Sequence, residues 1–207
     1  MENLIKSVEN LKNGDVGRLV DNKIKQFKGI DKDSNEAVFN ELCFCILTAN
    51  FNAEKSIMIQ DEIGEGFCKF CEDELSNKLT ELGHRFPNAR AKYISECQRF
   101  KDRIKYVIQS LSGEKLREYL VKNIKGIGYK EASHFLRNIG FDDYAIIDFH
   151  IVDILARNNL IEKPKVISKK NYMEIESVLK NLSKQLNVTL AELDLYLWYL
   201  ETGKILK

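Results

Sequence analysis

The chain has 207 residues, of which 44% are hydrophobic and 30% are charged, and its formal net charge is +1. This composition excludes a disordered chain, and the length suits one large domain or two small ones. The longest apolar stretches are too short to cross a membrane and the first residues lack the apolar core of a signal peptide, so we expect a soluble, cytoplasmic protein with no membrane partner.

Apolar residues recur at helical spacing along most of the chain, and no strand-like alternation of any length is present. The pattern therefore predicts an all-α fold. Asp33 with Glu36 resembles a capping pair, and Asn52 is placed to cap the next helix. In the first half, helices are predicted around residues 4–11, 16–27, 39–46, 53–63, 74–82 and 89–111.

Cysteines raise the question of a metal site, because the chain has five of them. Cys68 and Cys71 form a Cys-x-x-Cys pair and Cys43 and Cys45 lie upstream, so four thiols could bind zinc. Cys43 and Cys45 lie in an apolar helical run, however, where side chains two residues apart point to different faces. Buried structural thiols are the favoured interpretation, with zinc or a disulfide as the alternatives.

Arg85 and Phe86 lie on a predicted loop, because Pro87 disfavours helix at the residue before it. An aromatic or basic side chain on such a loop can wedge into a duplex and fill the gap left by an extruded base. Phe86 could equally pack the loop against the core, and both interpretations remain open. His84 is expected to be structural.

Two short helices flanking a glycine turn are predicted between residues 116 and 140. Gly126 and Gly128 lie between the two helical patterns, where glycine allows a tight turn and close approach to another surface. The amides that open the second helix lack intrahelical partners, so the turn suits an anion such as a nucleic-acid phosphate.

Lys130 lies in the first turn of the second of these helices. A cation there faces the positive end of the helix dipole, which is unfavourable unless the amine has a task such as nucleophilic attack. Asp148 follows an apolar run at 144–147 and is placed to cap the next helix. From the residues alone, Lys130 is as well explained as a solvated lysine and Asp148 as a cap.

The last helices are predicted after Ser168 and after Thr189, which forms a capping box with Glu192. Trp198, the single tryptophan, offers a face on which a base could stack, although by itself it would be assigned to the core. The chain ends at Lys207, where a terminal carboxylate near a structured glycine turn can act as a fixed acceptor.

The segment that carries Gly126, Gly128, Lys130, Asp148 and His150 resembles the helix-hairpin-helix of the base-excision DNA glycosylases related to endonuclease III. That hairpin usually begins Leu-Pro-Gly, whereas this chain has Ile-Lys-Gly at 124–126. Leu-Thr-Ala-Asn at 47–50 and the ending with Trp-Tyr, Thr-Gly and a terminal lysine resemble the archaeal class of 8-oxoguanine DNA glycosylase/AP lyase over nearly the whole chain.

This resemblance implies two helical domains, residues 35–143 and residues 1–34 plus 144–207, with the active site in the cleft between them. It implies excision of 8-oxoguanine through a Schiff base on Lys130, with Asp148 stabilising the cationic sugar, followed by β-elimination at the abasic site. Double-stranded DNA with a damaged base is the expected partner, and a monomer is the expected state. No cofactor is expected, and no iron-sulfur cluster, because no cysteine follows Cys97.

The resemblance also assigns further site residues. The hairpin glycines and His150 would bind phosphate, Arg85 and Phe86 would contact the strand opposite the lesion, and Trp198 and Lys207 would recognise the base. A monovalent cation could be held by main-chain oxygens of Lys122, Ile124 and Ile127. Two alternatives stay open: the same mechanism on another oxidised base, or a non-catalytic helix-hairpin-helix protein in which Lys130 touches phosphate.

Overall fold

The computed structural model describes residues 2–207, and all regular secondary structure in that range is helical, which confirms the all-α prediction. None of these helices is long and apolar enough to cross a membrane. The helices are α1 Glu2–Lys12, α2 Asp15–Lys28, α3 Asn35–Thr48, α4 Ala53–Ile63, α5 Gly66–Lys69, α6 Glu72–Glu81, α7 Pro87–Cys97, α8 Ile104–Ser110, α9 Gly113–Asn123, α10 Tyr129–Asn138, α11 Phe149–Arg157, α12 Lys169–Leu186 and α13 Leu190–Thr202.

The chain forms two compact units. One consists of Ile30–Ile139, and the other of the residues before Ile30 together with Gly140–Lys207. The first unit thus carries the glycine turn and Lys130, and the second carries Asp148 and the C-terminus.

The Ile30–Ile139 unit is built around α3, which is apolar on nearly every side and packs against α4, α5, α7, α8 and α10. One carboxylate is buried within it. Glu41 Oε1 accepts a hydrogen bond of 3.1 Å from Gln60 on α4, and Glu41 Oε2 accepts one of 3.1 Å from Asn138 on α10. Because a buried carboxylate needs such donors, these bonds fix α10 against α3.

In the second unit, α13 packs against α2, α11 and α12, and α1 packs against α2, α12 and α13. Gly140 adopts φ +87°, and a Cβ there would lie 2.9 Å from Lys28 Cα. This position therefore requires glycine for both its conformation and the close approach of α2. The neighbouring ion pair, Lys28 Nζ to Asp142 Oδ2, measures 2.7 Å.

Local predictions mostly hold at helix starts. Asn52 and Thr189 are confirmed as N-caps, each accepting from the amide three residues later. A helix follows Ser168 as predicted, and Ser168 caps it by accepting from Asn171 N. The predicted cap at Asp33 is wrong, because Ser34 caps α3 by accepting from Ala37 N at 3.2 Å.

The single helix predicted over 89–111 is also wrong. It is divided into α7, a 3₁₀ turn at Gln98–Phe100 and α8. The side chain of Asn35, which is distant in sequence, stabilises the backbone between α7 and α8. Its Nδ2 donates to Asp102 O at 2.9 Å, and its Oδ1 accepts from Lys105 N at 3.0 Å. The side chain therefore supplies the backbone partners that a continuous helix would have supplied.

Candidate active site

The glycine turn joins α9 to α10, as predicted. Gly126 adopts φ +85°, and a Cβ there would lie 2.5 Å from Cδ2 of Tyr93. Glycine is thus required at 126 by its conformation and by the ring packed against it. Gly128 is different, since its φ of −98° is open to any residue, and it serves as the N-cap of α10.

Lys130 lies beside a carboxylate in the first turn of α10. Its Nζ is 3.9 Å from Glu131 Oε1, and its side chain is 25% exposed. Glu131 Oε2 also accepts from Gly128 N at 3.2 Å, so this amide has an intrahelical partner already. The limited exposure of Lys130 differs from that of a freely solvated surface lysine.

Three main-chain oxygens around the turn fit the predicted cation site. Ile124 O accepts only a long hydrogen bond of 3.4 Å, from Ile127 N. Within residues 2–207, no hydrogen bond reaches the main-chain oxygen of Lys122 or of Ile127. A hard cation is bound by oxygen ligands, and carbonyl oxygens that accept no hydrogen bond are available for this.

The Arg85–Phe86 loop is fixed through its backbone. His84 is 4% exposed; its Nε2 donates to Leu47 O at 3.1 Å and its Nδ1 accepts from Phe86 N at 3.0 Å. Burial lowers the pKa of His84, so the neutral ring is favoured. The Phe86 ring is 36% exposed, with the guanidinium carbons of Arg85 and Arg90 at 5.0 and 5.6 Å from its centroid.

Asp148 is confirmed as the N-cap of α11. Its Oδ1 accepts a hydrogen bond of 3.0 Å from Ile151 N, and the side chain is half-buried. Its Oδ2 has no hydrogen-bond partner within residues 2–207. One carboxylate oxygen is therefore committed to the fold, while the other can face a cation or an amine.

The other predicted residues of the Gly140–Lys207 segment lie near its C-terminal helix. The exposed His150 ring meets Trp198 edge to face, with centroids 5.3 Å apart. The buried Nε1 of Trp198 has no hydrogen-bond partner in the described chain. Lys207, which ends the chain five residues after α13, is half-buried.

The cysteines are free thiols, and no group of three His, Cys, Asp or Glu side chains within residues 2–207 could hold a metal. The interpretation of buried thiols is confirmed for Cys43 and Cys45 and is wrong for Cys71. Cys43, Cys45 and Cys97 are buried, Cys68 is half-buried and Cys71 is exposed. Burial raises the pKa of Cys43 well above its ordinary value and that of Cys97 to about 12. These thiols are therefore unreactive near neutral pH.

The sequence did not identify three aromatic residues that lie at or near the candidate site: Phe149, Tyr93 and Tyr172. Phe149 is 62% exposed although it is a large aromatic side chain, and its place between Asp148 and His150 was the available signal. Tyr93 and Tyr172 gave no signal, because an aromatic residue in a helical pattern is most simply assigned to the core. The site residues thus fall into two sets, one in each unit.

A family model described as 8-oxoguanine DNA glycosylase matches residues 20–188. An 8-oxoguanine DNA glycosylase/AP lyase of Methanocaldococcus jannaschii is 55% identical over 206 residues, 99% of each chain. A relative of the same name from Thermotoga maritima is 42% identical over 99% of each chain.

Solved structures agree with these sequence matches. The M. jannaschii 8-oxoguanine glycosylase/lyase in complex with a 15mer DNA containing 8-oxoguanine superimposes with a TM-score of 0.95 at 55% identity and 99% coverage of both chains. The 8-oxoguanine DNA glycosylase of T. maritima superimposes with a TM-score of 0.92 at 42% identity, covering 100% of this chain and 99% of that one.

Proposed function

Because the chain belongs to the 8-oxoguanine DNA glycosylase family, we propose that it excises 8-oxoguanine from double-stranded DNA and cleaves the strand at the resulting abasic site. It is thus a bifunctional DNA N-glycosylase and AP lyase. The observation that carries this proposal is the 55% identity over 99% of both chains to a glycosylase/lyase. A three-quarters-buried Lys130 after the hairpin gives it a chemical basis.

Lys130 is proposed as the nucleophile. Its Nζ bonds to C1′ while the bond from C1′ to N9 breaks, and the electron pair leaves with the base, which takes up a proton. Opening of the sugar gives a Schiff base. Loss of a C2′ proton then expels the 3′-phosphate, which is the β-elimination that nicks the strand.

Asp148 is proposed to stabilise positive charge on the sugar as the glycosidic bond lengthens. A carboxylate already fixed in place does this without reorganising. The oxygen that does not cap α11 is the one available, and it can also accept a proton from Lys130. These steps need an amine and a carboxylate and no cofactor.

DNA is proposed to be held mainly through its backbone. The target sugar is hidden in a stacked duplex, and extruding the nucleotide costs a few kcal/mol, roughly 2–4. Phosphate contacts at Gly126, Gly128 and His150 would help offset that cost without reading sequence. Arg85 and Phe86 would enter the opposite strand. The cation at the oxygens of Lys122, Ile124 and Ile127, which accept no short hydrogen bond, would bind a phosphate beside the hairpin.

Base choice is proposed to involve Trp198 and Lys207. An 8-oxoguanine differs from guanine by an N7 hydrogen and an 8-oxo group, so discrimination needs an acceptor aimed at N7–H. The half-buried Lys207 is proposed to take part in recognising the base, and the indole of Trp198 can stack on a purine. We propose that the protein works as a monomer.

Borohydride trapping on an 8-oxoguanine duplex tests the chemistry. The wild type is expected to form a covalent complex and to nick the strand, and Lys130→Gln is expected to do neither. Lys125→Gln is the matched control, because Lys125 is an exposed hairpin lysine 3.2 Å from Glu96 and should remain active. Full cleavage by Lys130→Gln would disprove the assigned nucleophile.

The same assay separates the two alternatives. A non-catalytic DNA-binding protein would form no trapped complex with any lesion. An enzyme for another oxidised base would be trapped on an oxidised pyrimidine and not on 8-oxoguanine. A panel of lesion duplexes run with one enzyme preparation therefore distinguishes all three possibilities.

A further inference from the structure

A non-helical run of backbone, residues 144–147, precedes Asp148 and has no neighbouring strand. Residues 144–147 are buried, and no strand exists within residues 2–207 that could pair with them. Buried backbone N–H and C=O groups must nevertheless find partners. In this run, side chains have to supply the hydrogen bonds that a neighbouring strand supplies in a sheet.

Tyr172 supplies two of these partners. Its hydroxyl donates to Ala145 O at 2.6 Å and accepts from Ile147 N at 3.3 Å. The side chain is 2% exposed, so both bonds are shielded from water. One oxygen atom thus bridges the run on either side of Ile146.

The element that carries Tyr172 is itself anchored. Ser168 caps α12 by accepting from Asn171 N at 3.2 Å, and Ser168 O accepts from Tyr172 N at 2.8 Å. Tyr172 therefore lies in the first, capped turn of a helix. Its hydroxyl is therefore a fixed point that can position residues 144–147.

Asp148 is held from both sides as a result. The preceding residue, Ile147, is tied through its N–H to the Tyr172 hydroxyl, and Asp148 Oδ1 is tied downstream to Ile151 N. These two restraints fix the backbone and one carboxylate oxygen. The direction of the remaining oxygen, Oδ2, follows from them.

We propose that Tyr172 is a positioning residue for Asp148, and that its hydroxyl sets where the carboxylate meets the substrate sugar. This inference rests on the proposed function, in which Asp148 stabilises the cationic sugar. Small displacements of such a group are costly, since a misplacement near 1 Å can slow a reaction about a hundredfold. Tyr172 itself need not touch DNA.

The test is single-turnover excision of 8-oxoguanine by Tyr172→Phe. Removal of the hydroxyl leaves Ala145 O and Ile147 N–H buried without this partner, so the run should shift. We expect the excision rate to fall about tenfold. Affinity for DNA with an uncleavable abasic-site analogue should change less than about twofold, because binding does not depend on the carboxylate.

A preformed abasic site provides the second readout. It has no glycosidic bond to break, so the strand-nicking rate of Tyr172→Phe on that substrate should fall less than its excision rate. Tyr196→Phe is the matched control: Tyr196 is buried in the same unit on α13, and its hydroxyl makes no hydrogen bond to residues 144–147. This variant should excise at the wild-type rate.

Hydrogen exchange at the Ile147 amide reports on the restraint directly. It should be slow in the wild type and faster in Tyr172→Phe. Unchanged exchange, wild-type excision, or parallel loss of excision, nicking and DNA binding would each overturn the positioning role. Activity retained by Lys130→Gln would instead overturn the proposed function, so the two failures are distinguishable.

Discussion

Asp148 Oδ1 accepts a 3.0 Å hydrogen bond from the backbone N–H of Ile151, so the carboxylate proposed for catalysis is also the N-cap of α11. The two tasks use different properties. Capping needs only an acceptor oxygen, whereas stabilising a cationic sugar needs negative charge. Substitutions can therefore separate stability from activity at one position.

Asp148→Asn should abolish excision while leaving the fold as stable as the wild type. Asparagine keeps an acceptor oxygen and caps helices about as well as aspartate, but it has no charge and cannot take a proton. A loss of about 100-fold or more in single-turnover excision is expected. The measurements are excision rates and thermal unfolding of both proteins.

Asp148→Ala is the companion variant, and it should lose both properties. Without the cap, the free energy of unfolding should fall by about 1 kcal/mol. If Asp148→Asn excised 8-oxoguanine at the wild-type rate, the charge would have no catalytic part and the residue would be a cap alone.

The caps show which local features a sequence can predict. Asn52, Asp148, Ser168 and Thr189 each bond an amide three residues away, so cap and partner are visible in one short window. The break between α7 and α8 could not be found this way. Its partner is Asn35, 70 residues before Lys105, and the intervening pattern contains no glycine or proline near the break.

The same distinction applies to the candidate site. The position of Lys130 in the first turn after the hairpin and that of Asp148 as the N-cap of α11 could be predicted, because each depends on one short stretch of sequence. Tyr93 and Tyr172 were not, since each acts through a ring or hydroxyl that meets a segment more than 20 residues away. Supporting side chains of this kind are identified by contacts, which periodicity does not contain.

Gly126→Ala should weaken DNA binding and Gly128→Ala should weaken it much less. At 126 the added Cβ meets the Tyr93 ring at 2.5 Å and the residue must keep φ +85°, so the hairpin must move. A cost of about 1–3 kcal/mol is typical of such strain. At 128 the added Cβ meets only Glu131 Oε2, at 3.1 Å, which is the far end of a flexible side chain.

Affinity for a duplex with an uncleavable abasic-site analogue, measured at one salt concentration, tests this difference. Thermal unfolding should rank the variants in the same order. Equal affinity for the two alanine variants would show that the shape of the hairpin at 126 does not govern binding.

Deletion of Lys207 should impair excision of 8-oxoguanine more than nicking of a preformed abasic site. The deletion removes the residue proposed to recognise the base, while an abasic site has no base to recognise. Lys204→Ala is the control, because Lys204 is an exposed lysine in the same tail. Parallel loss of both activities in the deletion variant would contradict a role in base recognition.

His84 should make stability depend on pH below neutrality. Its Nδ1 accepts from Phe86 N, so the native state favours the neutral ring, and burial lowers the pKa from its ordinary 6.5. The unfolded state therefore binds more protons in this range. The stabilisation is complete above pH 6.5 and is lost as the pH falls through the lower folded-state pKa.

Urea unfolding between about pH 7.5 and pH 5.5 measures this dependence, above the range in which most carboxylates titrate. The free energy of unfolding should decrease on acidification in the wild type and decrease less in His84→Gln, which cannot be protonated. An unchanged slope in His84→Gln would mean that this ring is not the titrating group. In that case protonation would not release the Phe86 backbone, and the Arg85–Phe86 loop would keep its position throughout this pH range.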